Sequence, residues 1–97
     1  MVKTIDDVQT TLFPVFVKYG ISKAILFGSL AKGTATQTSD LDLLVDSNLH
    51  GLDFFGLTED IRQAVQRPVD VMDVAHVKKD SPIDREIRET GVLIYEK

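Results

Sequence analysis

Cysteine is absent from the 97-residue sequence, and so is any apolar run that approaches the length of a membrane span. Without cysteine the chain can form no disulfide, no thiolate zinc site and no cysteine nucleophile, although a reducing compartment is permitted. The first residues, M-V-K-T-I-D-D, also lack the apolar core of a signal peptide. We therefore expect a cytoplasmic protein that does not associate with a membrane.

Basic residues are in the minority, with 11 lysine and arginine side chains against 15 aspartate and glutamate side chains and a net charge of −4. This balance disfavours a broad basic groove, so direct nucleic-acid binding is not expected. A phosphate ligand is still compatible with the charge if a cation neutralises the acids. The length suits one compact domain, residues 1–97, without a separate substrate domain. An enzyme of this kind would take its acceptor from another molecule.

Helical and strand patterns alternate along the chain without an internal repeat or a linker. Thr4 and Asp7 resemble a capping box, and Ser81 followed by Pro82 is typical of a helix start. Apolar residues at helical spacing predict helices over residues 4–19, 52–66 and 82–90, with a short helical turn at 30–32. Apolar runs predict strands at residues 21–27, 41–45 and 69–74. Residues 92–95 form either a further strand or a packed tail, and the fold class is α/β (α+β).

Two aspartates one residue apart, Asp40 and Asp42, stand at the start of the second predicted strand. Residues two apart in a strand point to the same side, so the two carboxylates lie roughly 6–7 Å apart at the backbone and repel each other. A hard divalent cation such as Mg²⁺ would relieve that repulsion, and two such ions can serve an in-line nucleotidyl displacement. Asp70, which interrupts the third strand in the same way, is the candidate third carboxylate. Asp73 is the alternative, although it faces the other side of that strand.

A glycine–serine turn, Gly28-Ser29, follows the first strand and precedes these aspartates by ten residues. Glycine lets backbone N–H groups approach a phosphate closely, and a helical turn that begins at Ser29 would direct its hydroxyl and N–H groups at the same anion. Lys32 either adds a charge-assisted phosphate contact or faces solvent. Each feature alone has a simpler explanation, since such a turn is commonly only a turn and such aspartates are commonly a solvated strand edge.

The combination and its spacing are more specific than the separate parts. Gly28-Ser29, ten residues, then Asp40-Leu41-Asp42 and an apolar strand resembles the G-S-x10-D-x-D signature of the nucleotidyltransferase superfamily that includes DNA polymerase beta. Within that superfamily the chain most resembles the minimal nucleotidyltransferases, the MNT domains paired with HEPN proteins in prokaryotic toxin–antitoxin modules. The resemblance extends over L-F-G-S-L-A-K-G, S-D-L-D-L-L-V, R-P-V-D-V and I-R-E-T-G-V-L-I-Y-E. It implies a small mixed sheet of at least three strands flanked by helices.

The resemblance also implies a role for each matched residue. Gly28 and Ser29 match the residues that hold the nucleotide phosphates, and Lys32 stands where the family often has arginine. Asp40 and Asp42 match the family's two metal-bridging acids, and Asp70 matches its third acid. The third acid helps to bind the catalytic metal and assists deprotonation of the acceptor hydroxyl.

MNT domains are described as antitoxins that transfer AMP from ATP to a tyrosine of the HEPN ribonuclease partner. The resemblance therefore implies a protein adenylyltransferase that uses ATP and two Mg²⁺ ions, forms a hetero-oligomer with a HEPN toxin and acts as its antitoxin. The alternative is a binding module that neutralises the toxin by occlusion, with catalysis secondary or absent. A free-standing transferase acting on a small molecule is less favoured, because related enzymes of that kind usually carry extra domains.

Overall fold

The computed structural model describes residues 2–33 and 40–97, and in that part of the chain four α-helices alternate with four β-strands. In chain order the elements are α1 (Ile5–Tyr19), β1 (Lys23–Phe27), α2 (Ser29–Lys32), β2 (Leu41–Asp46), α3 (Leu52–Val65), β3 (Val69–Asp73), a 3₁₀ turn (Val74–His76), α4 (Pro82–Thr90) and β4 (Val92–Glu96). Each predicted helix and strand is present, and the last segment is a strand and not a packed tail. Some strand bounds differ from the prediction, since β1 begins at Lys23 and not at residue 21, and Val74 belongs to the 3₁₀ turn and not to β3. No helix within the described ranges combines the length and the apolarity that a membrane crossing requires.

Side chains at the ends of α1 and α4 specify where these helices begin. The Thr4 hydroxyl accepts a hydrogen bond from the Asp7 N–H at 3.1 Å while the Asp7 carboxylate accepts one from the Thr4 N–H at 3.2 Å, so the predicted capping box is present. Ser81 caps α4 by accepting a hydrogen bond from the Asp84 N–H at 3.2 Å. Both pairs satisfy N–H groups that a helix start would otherwise leave without a partner.

The strands of the described residues form one sheet in the order β3-β2-β1-β4. β1 runs antiparallel to both β2 and β4, whereas β2 and β3 are parallel because α3 carries the chain back between them. The sheet is therefore mixed and flanked by helices, as predicted. The parallel pairing places the start of β3 beside the start of β2.

The two faces of this sheet are covered unequally. One face is packed against α1 and α3, and the core there includes Val8, Leu12, Phe16, Leu41, Leu43, Val45, Leu57, Ile61 and Val65. On the other face a smaller cluster forms around Phe27, Leu44 and Ile87, the last contributed by α4. Side chains alternate along β2, so Asp42 points to the same side as Leu44. Asp42 thus projects from the face that has the smaller apolar cover.

α4 approaches the sheet closely where it passes into β4. A Cβ atom on Gly91 would overlap the carbonyl oxygen of Ile87 and would lie 2.9 Å from Cγ2 of Ile25 in β1. Only glycine fits at this junction without a shift of the neighbouring atoms. The close approach brings the last turn of α4 beside the end of β1, where Gly28 begins the glycine–serine turn.

Candidate active site

Asp42 and Asp70 lie side by side on neighbouring strands. They are Cα partners across the parallel β2–β3 pair, whose strands run about 4.8 Å apart. By strand alternation Asp70 shares the side of Met72, which packs in the cluster under α4, so both carboxylates project from one face of the sheet. Asp40 immediately precedes β2 and is exposed. The fold therefore brings Asp70 to the D-x-D pair although a whole helix separates them in the sequence.

The Asp42 carboxyl occupies an environment that opposes its ionisation. Burial raises the pKa of this carboxyl, and the negative charges of Asp70, Asp40 and Glu86 raise the pKa further. Each of these influences acts against the carboxylate form. A bound cation would reverse the balance by neutralising several negative charges at once, which is the arrangement that the D-x-D pattern predicts.

The donor groups match the preference of a hard divalent cation, since each candidate ligand is a carboxylate oxygen. Asp42 and Asp70 are already in register, and the charge of Asp40 acts on the Asp42 carboxyl. Within residues 2–33 and 40–97, however, no three histidine, aspartate or glutamate side chains converge tightly enough to hold a metal ion. Strand register therefore brings Asp42 and Asp70 together, while the acids as they stand do not converge on a single metal position in the described part of the chain.

The Gly28-Ser29 turn is built against the Asp42 carboxylate. Gly28 has a φ of 80° and a ψ of −153°, a combination that is essentially restricted to glycine. A Cβ atom at this position would overlap Oδ2 of Asp42 and would lie 3.2 Å from its Cγ. Glycine thus permits the backbone conformation and also leaves space for the acid. The turn and Asp42 of β2 therefore pack directly against each other.

Lys32 ends α2, the short helix that begins at Ser29. Its Nζ lies 3.4 Å from Oε1 of Glu86 on α4. The negative charge of Glu86 also raises the pKa of Asp42, so the ion pair links Lys32 to an acid that acts on the site. The side chain is half exposed, but an acidic partner holds it and it does not point solely into solvent.

Two residues of α4 contribute to the site, and neither is recognisable from the sequence. The negative charge of Glu86 acts on the Asp42 carboxyl, and the Thr90 hydroxyl oxygen accepts a hydrogen bond from the Gly28 N–H at 3.4 Å. Their spacing is the one available signal, because residues i and i+4 share a helix face. Nothing in the sequence indicates which surface that face contacts, so α4 could not be assigned to the site in advance.

Asp73, the alternative third carboxylate, has a structural role. It is 4% exposed and accepts hydrogen bonds from the Ser47 N–H at 3.0 Å, the Ser47 hydroxyl at 2.6 Å and the Ala75 N–H at 3.0 Å. Alternation along β3 directs it away from the side of Asp70. The Asp73 carboxylate therefore ties the end of β3 to the chain that follows β2, and Asp70 is the acid that lies beside Asp42.

Asp73 should also make the stability of the domain depend on pH. Burial would raise its pKa, but hydrogen bonds from Ser47 and Ala75 outweigh burial and hold the pKa below the ordinary value. The carboxylate therefore stabilises the fold above the unfolded-state pKa of about 3.9, and this contribution is lost as the pH falls toward the lower folded-state pKa. We expect Asp73→Asn to lower the urea midpoint at neutral pH and to flatten the acid limb of stability below about pH 4. A urea titration series with an acid limb as steep as that of the wild type would contradict this role.

Comparison with known proteins connects the geometry to a family. The sequence model of the family described as Polymerase beta, Nucleotidyltransferase matches residues 11–97, which is most of the chain. The chain belongs to this nucleotidyltransferase family. The matched range contains both halves of the candidate site of this nucleotidyltransferase, from the Gly28-Ser29 turn to Asp70.

Individual relatives agree with this assignment. A protein of Methanocaldococcus jannaschii with the provisional name protein adenylyltransferase MJ0435 is 30% identical over 70 residues, which cover 70% of this nucleotidyltransferase and 75% of the relative. One chain of a solved toxin–antitoxin complex with AMP-PNP superposes with a TM-score of 0.78 at 18% identity, over 92% of this chain and 73% of that one. A chain from the complex of tri-AMPylated Shewanella oneidensis HEPN toxin with MNT antitoxin superposes with a TM-score of 0.72 at 14% identity, over 97% of this chain and 74% of that one. At these identities the solved structures establish the shared nucleotidyltransferase fold.

Proposed function

We propose that this nucleotidyltransferase transfers AMP from ATP to a tyrosine hydroxyl of a HEPN toxin and thereby acts as the antitoxin of that toxin. The observation that carries the proposal is the meeting of three groups: two in-register acids, Asp42 and Asp70, and the backbone of Gly28 packed against one of them. Acids that repel one another beside a close-approach glycine suit a site in which the carboxylates would hold divalent cations, and these cations would neutralise the charge of a phosphate chain.

The named relatives support ATP as the donor and a protein as the acceptor. The M. jannaschii relative carries the name of a protein adenylyltransferase. Among the proteins of the same fold, one belongs to a toxin–antitoxin complex with AMP-PNP, and another to a complex of AMPylated HEPN toxin with MNT antitoxin. By analogy, a HEPN protein would bind this domain as a hetero-oligomer and present its hydroxyl to the acids of the site.

One set of residues binds the triphosphate, and another would bind the metal ions. Gly28 and Ser29 hold the triphosphate, with backbone N–H groups of the turn donating to phosphate oxygens, and Lys32 adds a point-charge contact. The acids that would hold Mg²⁺, two ions in the active complex, are Asp40, Asp42 and Asp70. When bound, the ions neutralise the negative charge that the phosphates and the carboxylates share.

Transfer is an in-line displacement at the α-phosphorus. The acceptor hydroxyl oxygen forms a bond to that phosphorus, the bond from the α-phosphorus to the oxygen that bridges to the β-phosphate breaks, and pyrophosphate leaves. The Asp70 carboxylate takes the proton of the hydroxyl. Most of the rate comes from holding the reactants in line and from charges that are in place before the reaction begins.

Labelled ATP tests the reaction. The protein is incubated with Mg²⁺, its HEPN partner and ATP that carries radioactive phosphorus at either the α or the γ position. We expect the partner to retain the α label and not the γ label, and we expect mass spectrometry to locate AMP on a tyrosine. Chelation of divalent cations should abolish labelling, because the carboxylates then repel the triphosphate. Transfer of the γ label would identify a phosphoryl transferase and would overturn the proposal.

A double variant separates catalysis from neutralisation by occlusion. Asp40→Ala/Asp42→Ala removes two of the acids at the start of β2. The main apolar core lies on the opposite face of the sheet, so the variant should fold and should still bind the HEPN partner. If AMP transfer neutralises the toxin, this variant binds the toxin without silencing it. A variant that silences the toxin as well as the wild type does would instead identify occlusion as the neutralising event.

A further inference from the structure

α4 contacts both ends of the segment that runs from Gly28 to Lys32. Thr90 accepts a hydrogen bond from the Gly28 N–H at 3.4 Å, and its own hydroxyl donates to the Glu86 carbonyl at 2.8 Å. One turn earlier on the same helix face, Oε1 of Glu86 lies 3.4 Å from Nζ of Lys32. The Gly28 N–H and the Lys32 ammonium are groups that would contact phosphates in the proposed function, so α4 contacts two groups that a phosphate would also use.

We propose that Glu86 is a positioning residue that holds Lys32 against α4 until a nucleotide arrives, and that it thereby sets how tightly the site binds a nucleoside triphosphate. The inference rests on the proposed function, because it requires that the phosphates bind at the Gly28-Ser29 turn. It adds to the site a residue that lies outside the G-S-x10-D-x-D pattern, on the last helix of the chain.

The ion pair is suited to an exchange of partners. The side chains of Lys32 and Glu86 are 45% and 39% exposed, and ion pairs at exposed positions are weak. The backbone of Lys32 is fixed, because its N–H donates to the Gly28 carbonyl at 3.1 Å, whereas the lysine stem is flexible. Only the side chain has to move for the ammonium group to leave Glu86 and reach a phosphate oxygen.

Glu86 opposes nucleotide binding in two separable ways. It occupies the ammonium group of Lys32, and it adds a negative charge to a site that already contains Asp42 and Asp70. A triphosphate that enters this site meets the repulsion of every acid that is not neutralised. Replacement of Glu86 by the uncharged glutamine removes both effects. Replacement of Lys32 removes the phosphate contact of the ammonium group together with the first effect, and it leaves the charge of Glu86 in place.

Nucleotide binding by isothermal titration calorimetry tests the proposal without recourse to catalysis. ATP with Mg²⁺ is titrated into the wild type, Glu86→Gln, Lys32→Met, the double variant and Glu89→Gln, which removes the same charge from an exposed position of the same helix. We expect Glu86→Gln to lower the Kd by about threefold to tenfold and Glu89→Gln to leave it within about twofold. Lys32→Met should raise the Kd. When Lys32→Met is already in place, adding Glu86→Gln should lower the Kd by much less than it does in the wild type.

Several outcomes would overturn the role of Glu86. An unchanged or higher Kd for Glu86→Gln would show that the residue does not restrain binding. An equal decrease with and without Lys32, or an equal decrease for Glu89→Gln, would show that only bulk charge matters and that no exchange occurs. If the wild type itself fails to bind ATP with Mg²⁺, the proposed function fails too, whereas normal wild-type binding with an inert Glu86→Gln defeats this inference alone.

Discussion

Asp42→Asn should abolish AMP transfer and leave the domain at least as stable as the wild type. We expect the rate of transfer to fall by roughly 10³-fold or more, because asparagine keeps the shape of the side chain and removes the charge that would hold cations against the phosphates. The expected effect on stability has the opposite sign. Burial and the neighbouring acids raise the pKa of the Asp42 carboxyl, so folding disfavours its ionised form.

The pH dependence of this effect follows from the direction of the shift. A carboxyl with a raised folded-state pKa contributes stability fully below the unfolded-state pKa of about 3.9, and the contribution is lost as the pH rises through the folded-state pKa. Above that pH the ionised Asp42 opposes folding, whereas asparagine at this position does not titrate. The urea midpoint of Asp42→Asn at neutral pH should therefore equal or exceed that of the wild type.

Asp73→Asn is the matched control, because it makes the same chemical change at an acid that has hydrogen-bond donors. Its urea midpoint should fall, and its free energy of unfolding should decrease by about 2–3 kcal/mol. The reason is that three donors lose a charged acceptor in a buried position. The fraction that remains folded should still transfer AMP. If Asp42→Asn lost stability as Asp73→Asn does, Asp42 would be a structural residue, and if it retained transfer, the catalytic acids would lie elsewhere.

Gly28→Ala should destabilise the domain by about 4 kcal/mol and eliminate transfer. One part of the cost is the backbone, since a φ of 80° with a ψ of −153° is strained for any residue with a Cβ atom. The other part is space, because that Cβ atom would overlap Oδ2 of Asp42. Relief of the overlap must displace the Asp42 carboxylate from its place beside the turn, so stability and activity are lost through one contact.

Two further variants divide this cost into its parts, with urea denaturation as the measurement. Gly20 has a φ of 65° and no atom within 4 Å of an added Cβ, so Gly20→Ala should cost only about 1–2 kcal/mol. In Gly28→Ala/Asp42→Ala, the overlapping oxygen and the Cγ are absent and the remaining Cβ lies at 3.4 Å, an ordinary contact. The double variant should therefore be more stable than Gly28→Ala, and equal stability of the two would exclude the overlap as the cause.

Prediction from the sequence succeeded where short-range chemistry determines structure. The capping box of Thr4 and Asp7 and the alternation that separates Asp70 from Asp73 follow from residues close together in the chain, and both are present. The contact that Lys32 of α2 makes was less predictable. The sequence left Lys32 with two alternatives, and its partner, Glu86, comes from a helix that begins 50 positions after it in the chain.

The sequence by itself determined the order of helices and strands, the glycine–serine turn and the D-x-D pair, because periodicity, caps and spacing are local properties. Tertiary structure alone decided that Asp70 stands in register with Asp42, that Gly28 packs against the Asp42 carboxylate, and that α4 supplies Glu86 and Thr90. The physical reason is that strand register and helix docking depend on which apolar faces pack together across the whole sheet. The Gly28 N–H and the Thr90 hydroxyl that accepts its hydrogen bond are 62 residues apart, and no local pattern encodes a contact over that separation.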